Sequence, residues 1–284
     1  MRFLPESNFL FVHIPKNGGQ SVRNAMSHAG ELSFAPLAED LGISEDEAAR
    51  TSESGYEHPV LGPIHPAHLP LWVMRDHFPA CWKVLQASQS LALTRAPRER
   101  FISALMQRLR EFGGAGAIRA EDDLVIHEAT RVKEWLSEHP RVLGLEYIHF
   151  TPQVDFVNVD GVRQIDAIFP MSQMASAASW IEAHVGLHLS IGHDHARRQP
   201  KPWARALQPA ARFAGRKLMP HAVKRRLHPL WMASGVFSNA SKGYSAIDFG
   251  PEIEGFIAEY YAADADLHRE AQANAAEQQT TSAA

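Results

Sequence analysis

The apolar run Phe9-Leu10-Phe11-Val12-His13-Ile14 is followed at once by Pro15 and the pair Gly18-Gly19. That pattern predicts a buried strand emptying into a tight loop, with a helix from about Gln20. The arrangement recurs. Ser90-Leu91-Ala92-Leu93-Thr94 reads as a second buried strand, Arg95-Ala96 turns, and Pro97 suits the first position of a helix that runs to about Phe112, where Gly113-Gly114-Ala115-Gly116 ends it. Further apolar periodicity predicts helices at Glu128–Glu138, Ser172–Val185 and Pro251–Ala271, and short strands at Val142–Leu145 and Gln164–Phe169. Strands alternating with helices predict an α/β fold, a mainly parallel sheet flanked by helices in a single domain, with ligands at the carboxyl ends of the strands. The small, polar residues Gln272–Ala284 read as a frayed tail, which sets the folded domain at residues 1–271.

Composition narrows the setting. A chain of 284 residues, 45% hydrophobic and 21% charged, has the length of an α/β enzyme, without repeats or a linker rich in Pro, Gly and Ser. A formal charge of −4 argues against wholesale polyanion binding, so no nucleic-acid partner is expected. The single cysteine, Cys81, excludes an internal disulfide and a cysteine metal cluster. The first strand starts too early to leave room for a signal peptide, and no window of apolar residues is long enough for a membrane span, so a cytoplasmic setting is expected. One stretch departs from the average. From His195 to Lys242 there is no Asp or Glu, and Lys and Arg are densest from Arg197 to Arg226, interrupted by prolines. This predicts either a loop-and-helix flap facing anions (donor nucleotide, acidic glycan or phospholipid surface) or a solvated basic face.

Pro15-Lys16-Asn17-Gly18-Gly19-Gln20-Ser21 lies where free backbone N–H groups and a positive helix end converge, which suits an oxyanion. Gly18 and Gly19 permit close backbone approach, Lys16 supplies a point charge, and Asn17, Gln20 and Ser21 offer hydrogen bonds. It is not a Walker A loop, in which the lysine follows the second glycine; here Lys16 precedes both. The alternative is a glycine turn with a solvated lysine.

This stretch resembles the 5′-phosphosulfate loop of the carbohydrate sulfotransferases that use 3′-phosphoadenosine 5′-phosphosulfate (PAPS), usually Pro-Lys-Thr-Gly-Gly-Thr-Ser, with Asn17 and Gln20 in place of the two threonines. The second strand–turn–helix unit, Arg95-Ala96-Pro97-Arg98-Glu99-Arg100-Phe101-Ile102-Ser103, is similar to that family's 3′-phosphate motif, Arg-x-Pro-x-x-Arg-x-x-Ser. By this resemblance Arg95 and Ser103 bind the 3′-phosphate. Arg98 and Arg100, taken alone, read as ordinary surface charges beside Glu99. Weaker similarity covers His149-Phe150-Thr151-Pro152-Gln153, Asn239-Ala240-Ser241 and Glu259-Tyr260-Tyr261-Ala262-Ala263-Asp264, the last resembling a closing Tyr-x-x-Asp helix. The resemblance implies a P-loop-like fold without ATPase chemistry and a PAPS-dependent O-sulfotransferase that acts on a hydroxyl acceptor, a glycan or glycolipid.

Sulfuryl transfer needs a base for the acceptor proton and a cation for the departing phosphate. Lys16 suits the second role. By resemblance a histidine between the two motifs supplies the first: His68, in His65-Pro66-Ala67-His68-Leu69-Pro70, with His65 as its substitute. With histidine at 16 positions, a chance pairing is the alternative. His13 reads as a strand residue, and His193-Asp194-His195 lacks further ligands, so no metal is expected. A second function remains open: a catalytically weak nucleotide-binding protein of the same fold, acting as an anion- or membrane-surface interaction module.

Overall fold

The computed structural model describes residues 1–113, 118, 122–191, 198–200, 237–239 and 246–283. The chain divides into two units, Met1–Gly192 with Asp248–Ala284, and His193–Ile247.

In the larger unit the first elements are β1 (Arg2–Leu4), β2 (Phe9–Val12) and α1 (Gly19–Ala29). There follow α2 (Ala35–Leu41), α3 (Glu45–Ser54) and a hairpin of β3 (Tyr56–His58) with β4 (Gly62–Ile64). A 3-10 turn at Pro66–His68 leads to α4 (Leu71–His77) and α5 (Pro79–Ala87). Next come β5 (Gln89–Thr94), α6 (Pro97–Glu111) and α7 (Asp123–Glu138). Two 3-10 turns, Ile148–Phe150 and Gln153–Phe156, precede the hairpin of β6 (Asn158–Val159) with β7 (Val162–Arg163). β8 (Ala167–Pro170) and α8 (Met174–Val185) follow. In the smaller unit β9 (Arg198–Pro200) pairs antiparallel with β10 (Phe237–Asn239). Apart from β9, the basic stretch Arg197–Arg226 lies outside the described residues, as do His193-Asp194-His195 and Ala240-Ser241. The larger unit resumes with α9 (Gly250–Tyr260) and α10 (Ala262–Ala283).

The sheet has the order β1-β2-β5-β8, with β1 antiparallel to β2 and the other two pairs parallel. Its strands are buried on both faces, as helix-covered parallel strands must be. Leu10, Val12, Ala92 and Ile168 face one core layer, together with Met74, Phe78 and Leu85 of α4 and α5 and the residue between them. Phe9, Phe11, Leu91, Leu93 and Phe169 face the other, with Val22 and Met26 of α1 and Ile181 of α8. The alternation along each strand divides the two sets. The register Val12↔Ala92 and Thr94↔Pro170 aligns the strands so that the turns leaving β2 and β5 emerge side by side.

Two expectations are corrected. Val142–Leu145 is no strand: Gly144 O accepts from Tyr147 N (3.0 Å) and Ile148 N (2.9 Å), so the chain turns there instead of pairing with a neighbour. The final helix breaks at Tyr261, then continues through Ala283 where fraying was expected. Small residues there allow close packing: Ala271 and Ala275 are fully buried, in the two core layers respectively. Alanine also favours the helix intrinsically. Among the described residues no helix is long and apolar enough to cross a membrane.

Removing residues 272–284 strips the packing of Ala275. Thermal unfolding of the shortened chain should show Tm lowered by more than about 2 °C, since each ~1 kcal/mol moves a protein of this size by roughly that much. An unchanged Tm would restore the frayed-tail reading.

Candidate functional site

The chain leaves β2 through a turn in which Lys16 (φ 70°) and Gly18 (φ 75°) are both left-handed. For lysine that conformation carries strain on the order of 1–3 kcal/mol, which surrounding contacts must hold. Gly18 caps α1, whose first turn contains no acidic side chain, and Ser21 N donates to Gly18 O at 3.2 Å. Ser21 is buried in that turn. The glycines answer packing as well as ligand approach: a Cβ on Gly18 would meet Met174 Cε at 2.9 Å, and one on Gly19 would overlap the His13 imidazole. Lys16 Nζ lies 3.4 Å from Gln107 Oε1 on α6.

Asn17 departs from its expected role. Instead of facing an anion it is buried, its Nδ2 donating to Leu93 O at the end of β5 and to Gln153 Oε1, each at 2.7 Å. It is a strut between the two loops. The Gln20 carboxamide lies 2.9 Å from Asn24, along α1.

The second loop is held by the same glutamine. Gln153 Oε1 accepts from Arg95 N, and Gln153 Nε2 donates to Arg95 O, both at 2.9 Å. The Arg95 guanidinium donates to Lys16 O and to Glu99, each at 3.3 Å, so it spans the two loops. Ser103 is half-buried on α6. Arg98 forms a pair with Glu254 of α9. Arg100, read from sequence as a surface charge, is 2% exposed and donates through Nε to Pro15 O at 3.1 Å. Its charge faces buried Asp264 at 4.0 Å. Asp264 accepts from Gln153 N (2.8 Å) and Val154 N (2.9 Å), and Tyr261 donates to Phe150 O at 2.8 Å. The Tyr-x-x-Asp segment thus clamps residues 150–154 against the loops. Burial pushes the Asp264 carboxyl up, opposed by Arg100 and those two amides.

Four imidazoles cluster beside the glycine loop. His68 Nδ1 lies 3.0 Å from His13 O; a carbonyl only accepts, so Nδ1 carries the proton and Nε2 the lone pair. The His68 ring is 4.6 Å from those of His13 and His65, and 5.9 Å from that of His149. Burial, with neighbouring positive groups, lowers all four: His65 to about 4, His149 to about 3, His13 and His68 well below the usual value. All are neutral at pH 7. Among the described residues the buried Nδ1 atoms of His13 and His65 have no hydrogen-bond partner. Among the described residues no group of three potential ligands is arranged to hold a metal ion.

Lys16, Asn17, Gly18, Gly19, Gln20, Ser21 and Arg95 therefore lie at one end of the sheet, and His68 and His65 join them through His13, whose ring abuts Gly19. Sequence reasoning missed Gln153, Arg100 and Asp264 as the struts, and His13 and His149 as cluster members. The segments containing Gln153 and Asp264 had a faint signal in the weaker similarity; the buried state of Arg100 had none.

No family model, curated protein or solved structure matches the chain.

The neutral cluster sets an acid limit on stability. The folded-state pKa of His65, about 4, lies below its unfolded value near 6.5, so its contribution is complete above that value and is lost as pH falls toward 4. Denaturant unfolding from pH 7 to 4 should show stability falling, with His65→Gln shallower by about 1.4 kcal/mol per pH unit, one proton's worth. Equal slopes would show that His65 is not held neutral by the fold.

Proposed function

We propose that the protein is a PAPS-dependent O-sulfotransferase acting on a hydroxyl acceptor, most plainly a carbohydrate, as the resemblance of its motifs implies. One observation carries this reading: the Gly18–Gly19 loop and the Arg95 loop leave adjacent parallel strands and are tied together by Gln153. A ligand with two anionic groups, one at each end of a nucleoside, has the chemistry for such a paired site. In this reading the glycine loop is a P-loop-like cradle for the 5′-phosphosulfate. Lys16, Gly18, Gly19, Gln20 and Ser21 surround that group, and Arg95 with Ser103 takes the 3′-phosphate. Asn17 and Gln153 position the loops rather than contact the nucleotide.

Transfer then follows from elementary chemistry. The acceptor oxygen forms a bond to sulfur as the bond from sulfur to the bridging oxygen breaks, and that electron pair leaves with the 5′-phosphate. Lys16 and the amides at the start of α1 stabilise the developing charge. His68 Nε2 takes the acceptor proton, its tautomer fixed by the His13 carbonyl. His65, whose ring packs 4.6 Å from that of His68, supports the cluster.

Incubation with labelled PAPS and a panel of glycans, lipids and phenols tests the activity directly. Calorimetry should find adenosine 3′,5′-bisphosphate bound far more tightly than AMP. Arg95→Ala should weaken the bisphosphate by ~10–150-fold, the range of a charged hydrogen bond, while AMP affinity changes little. Equal binding of the two nucleotides removes the 3′-phosphate site. Bisphosphate binding with no transfer to any acceptor leaves a nucleotide-binding module instead.

The pH profile tests the base. Because burial and neighbouring imidazoles hold His68 well below 6.5, kcat/KM should stay flat as pH falls from 8 to 6. An acid limb centred near 6.5 would exclude His68.

A further inference from the structure

The mechanism above uses His68 and leaves the imidazole facing it without a task. His149 sits on the 3-10 turn Ile148–Phe150, half-buried between two side chains that are each 1% exposed, Ile148 and Phe150. The turn is fixed on three sides: Ile148 N donates to Gly144 O (2.9 Å), Phe150 N to Tyr147 O (2.8 Å), and Tyr261 to Phe150 O (2.8 Å). Four residues on, the same segment supplies Gln153, which ties the two anion loops. The ring is therefore held in register with the glycine loop, 5.9 Å from the His68 ring and nearly edge-on to it.

Its electrostatic neighbours distinguish it from the other imidazoles. His13 and His65 feel Arg2 and the N-terminal amine, on the side of β1. His149 feels Lys16 of the glycine loop and Arg100 of α6, whose Nε donates to Pro15 O. It is thus 5.9 Å from the ring of the histidine that takes the acceptor proton and within electrostatic reach of the lysine assigned to the leaving phosphate. We propose, building on the sulfotransferase reading, that His149 contacts the transferring sulfuryl group and donates a hydrogen bond to one of its oxygens from a neutral imidazole.

Neutrality is part of the design. Burial first, then Lys16, Arg100 and His65, lower its pKa to about 3, so the ring keeps one N–H and one lone pair at pH 7. A neutral donor stabilises charge spreading onto sulfuryl oxygens without a proton being transferred to them. His149 gains and loses no proton in the step: the acceptor proton goes to His68 and the electron pair leaves with the phosphate.

The test uses the full chain with 15N-labelled histidine and no acceptor. PAPS and adenosine 3′,5′-bisphosphate differ in the sulfuryl group, so the His149 ring signals should move with PAPS and stay near their free positions with bisphosphate. Both ring nitrogens should retain neutral-tautomer shifts from pH 6 to 8. In kinetics, His149→Leu should lower kcat at least tenfold while bisphosphate affinity stays within twofold. His149→Gln, which keeps an N–H donor, should recover to within threefold of the unmodified protein. Identical His149 signals with the two nucleotides, or an unchanged kcat in His149→Leu, overturns the assignment while leaving the sulfotransferase reading intact. The spectra need no variant, so they decide the matter if His149→Leu fails to fold. Binding of neither nucleotide overturns the sulfotransferase reading and this inference with it.

Discussion

The carboxamide of Gln153 is the constraint on which the site depends. It is fully buried, and its oxygen accepts from Asn17 of one loop and from the Arg95 backbone of the other, while its nitrogen donates back to Arg95 O. A buried amide left without partners costs about 1–3 kcal/mol, so each group has reason to stay where the others place it. Parallel pairing of β2 with β5 brings the loops to the same end of the sheet, but pairing alone does not fix the path of chain beyond the last ladder bond. Gln153 does so, and Asp264 in turn holds the Gln153 backbone.

Much of the fold was legible because the signals were local. β2, β5, α1 and α6 follow from apolar runs ended by Pro15 and Pro97, and the parallel arrangement follows from their alternation with helices. Val142–Leu145 misled because a short apolar run looks alike in a strand and in a buried turn; Gly144 decided between them. Gln272–Ala284 misled because small residues lower hydrophobicity whether they face solvent or pack closely against a neighbour. Ala275 does the latter. At the site, Lys16, Gly18, Gly19 and Arg95 were legible from the loop pattern. Asn17 was legible as a polar loop residue, but its direction was not, since direction depends on Leu93 and Gln153, both far along the chain. The burial of Arg100 was hidden for the same reason: its acceptor, Pro15 O, lies 85 residues away.

The imidazole cluster shows how composition and position combine. Sixteen histidines in the chain make any two neighbours unremarkable in sequence. Three rings packed around that of His68, close to Lys16, Arg2 and Arg100, cannot be charged together with it in so dry a place. The surroundings therefore select the neutral form of every ring, which is the form that both accepts a proton and donates a hydrogen bond. Nearby cations and neutral imidazoles are complementary features of one place: burial first, then Lys16, suppresses the imidazolium of His149.

Strain at Lys16 joins the two halves of the site. Its left-handed backbone is unfavourable for a side chain with a Cβ, and its carbonyl is held by the Arg95 guanidinium at 3.3 Å. Of that guanidinium's five N–H donors, the Nε–H is engaged with Glu99 and one at Nη1 with Lys16 O. A group drawn to the Arg95 side chain would pull on the same guanidinium that holds the Lys16 carbonyl, so a shift of one loop is felt by the other. The two loops are consequently not independent sites placed side by side. Moving Arg95 therefore disturbs the left-handed turn at Lys16, and the two loops hold their geometry together or not at all.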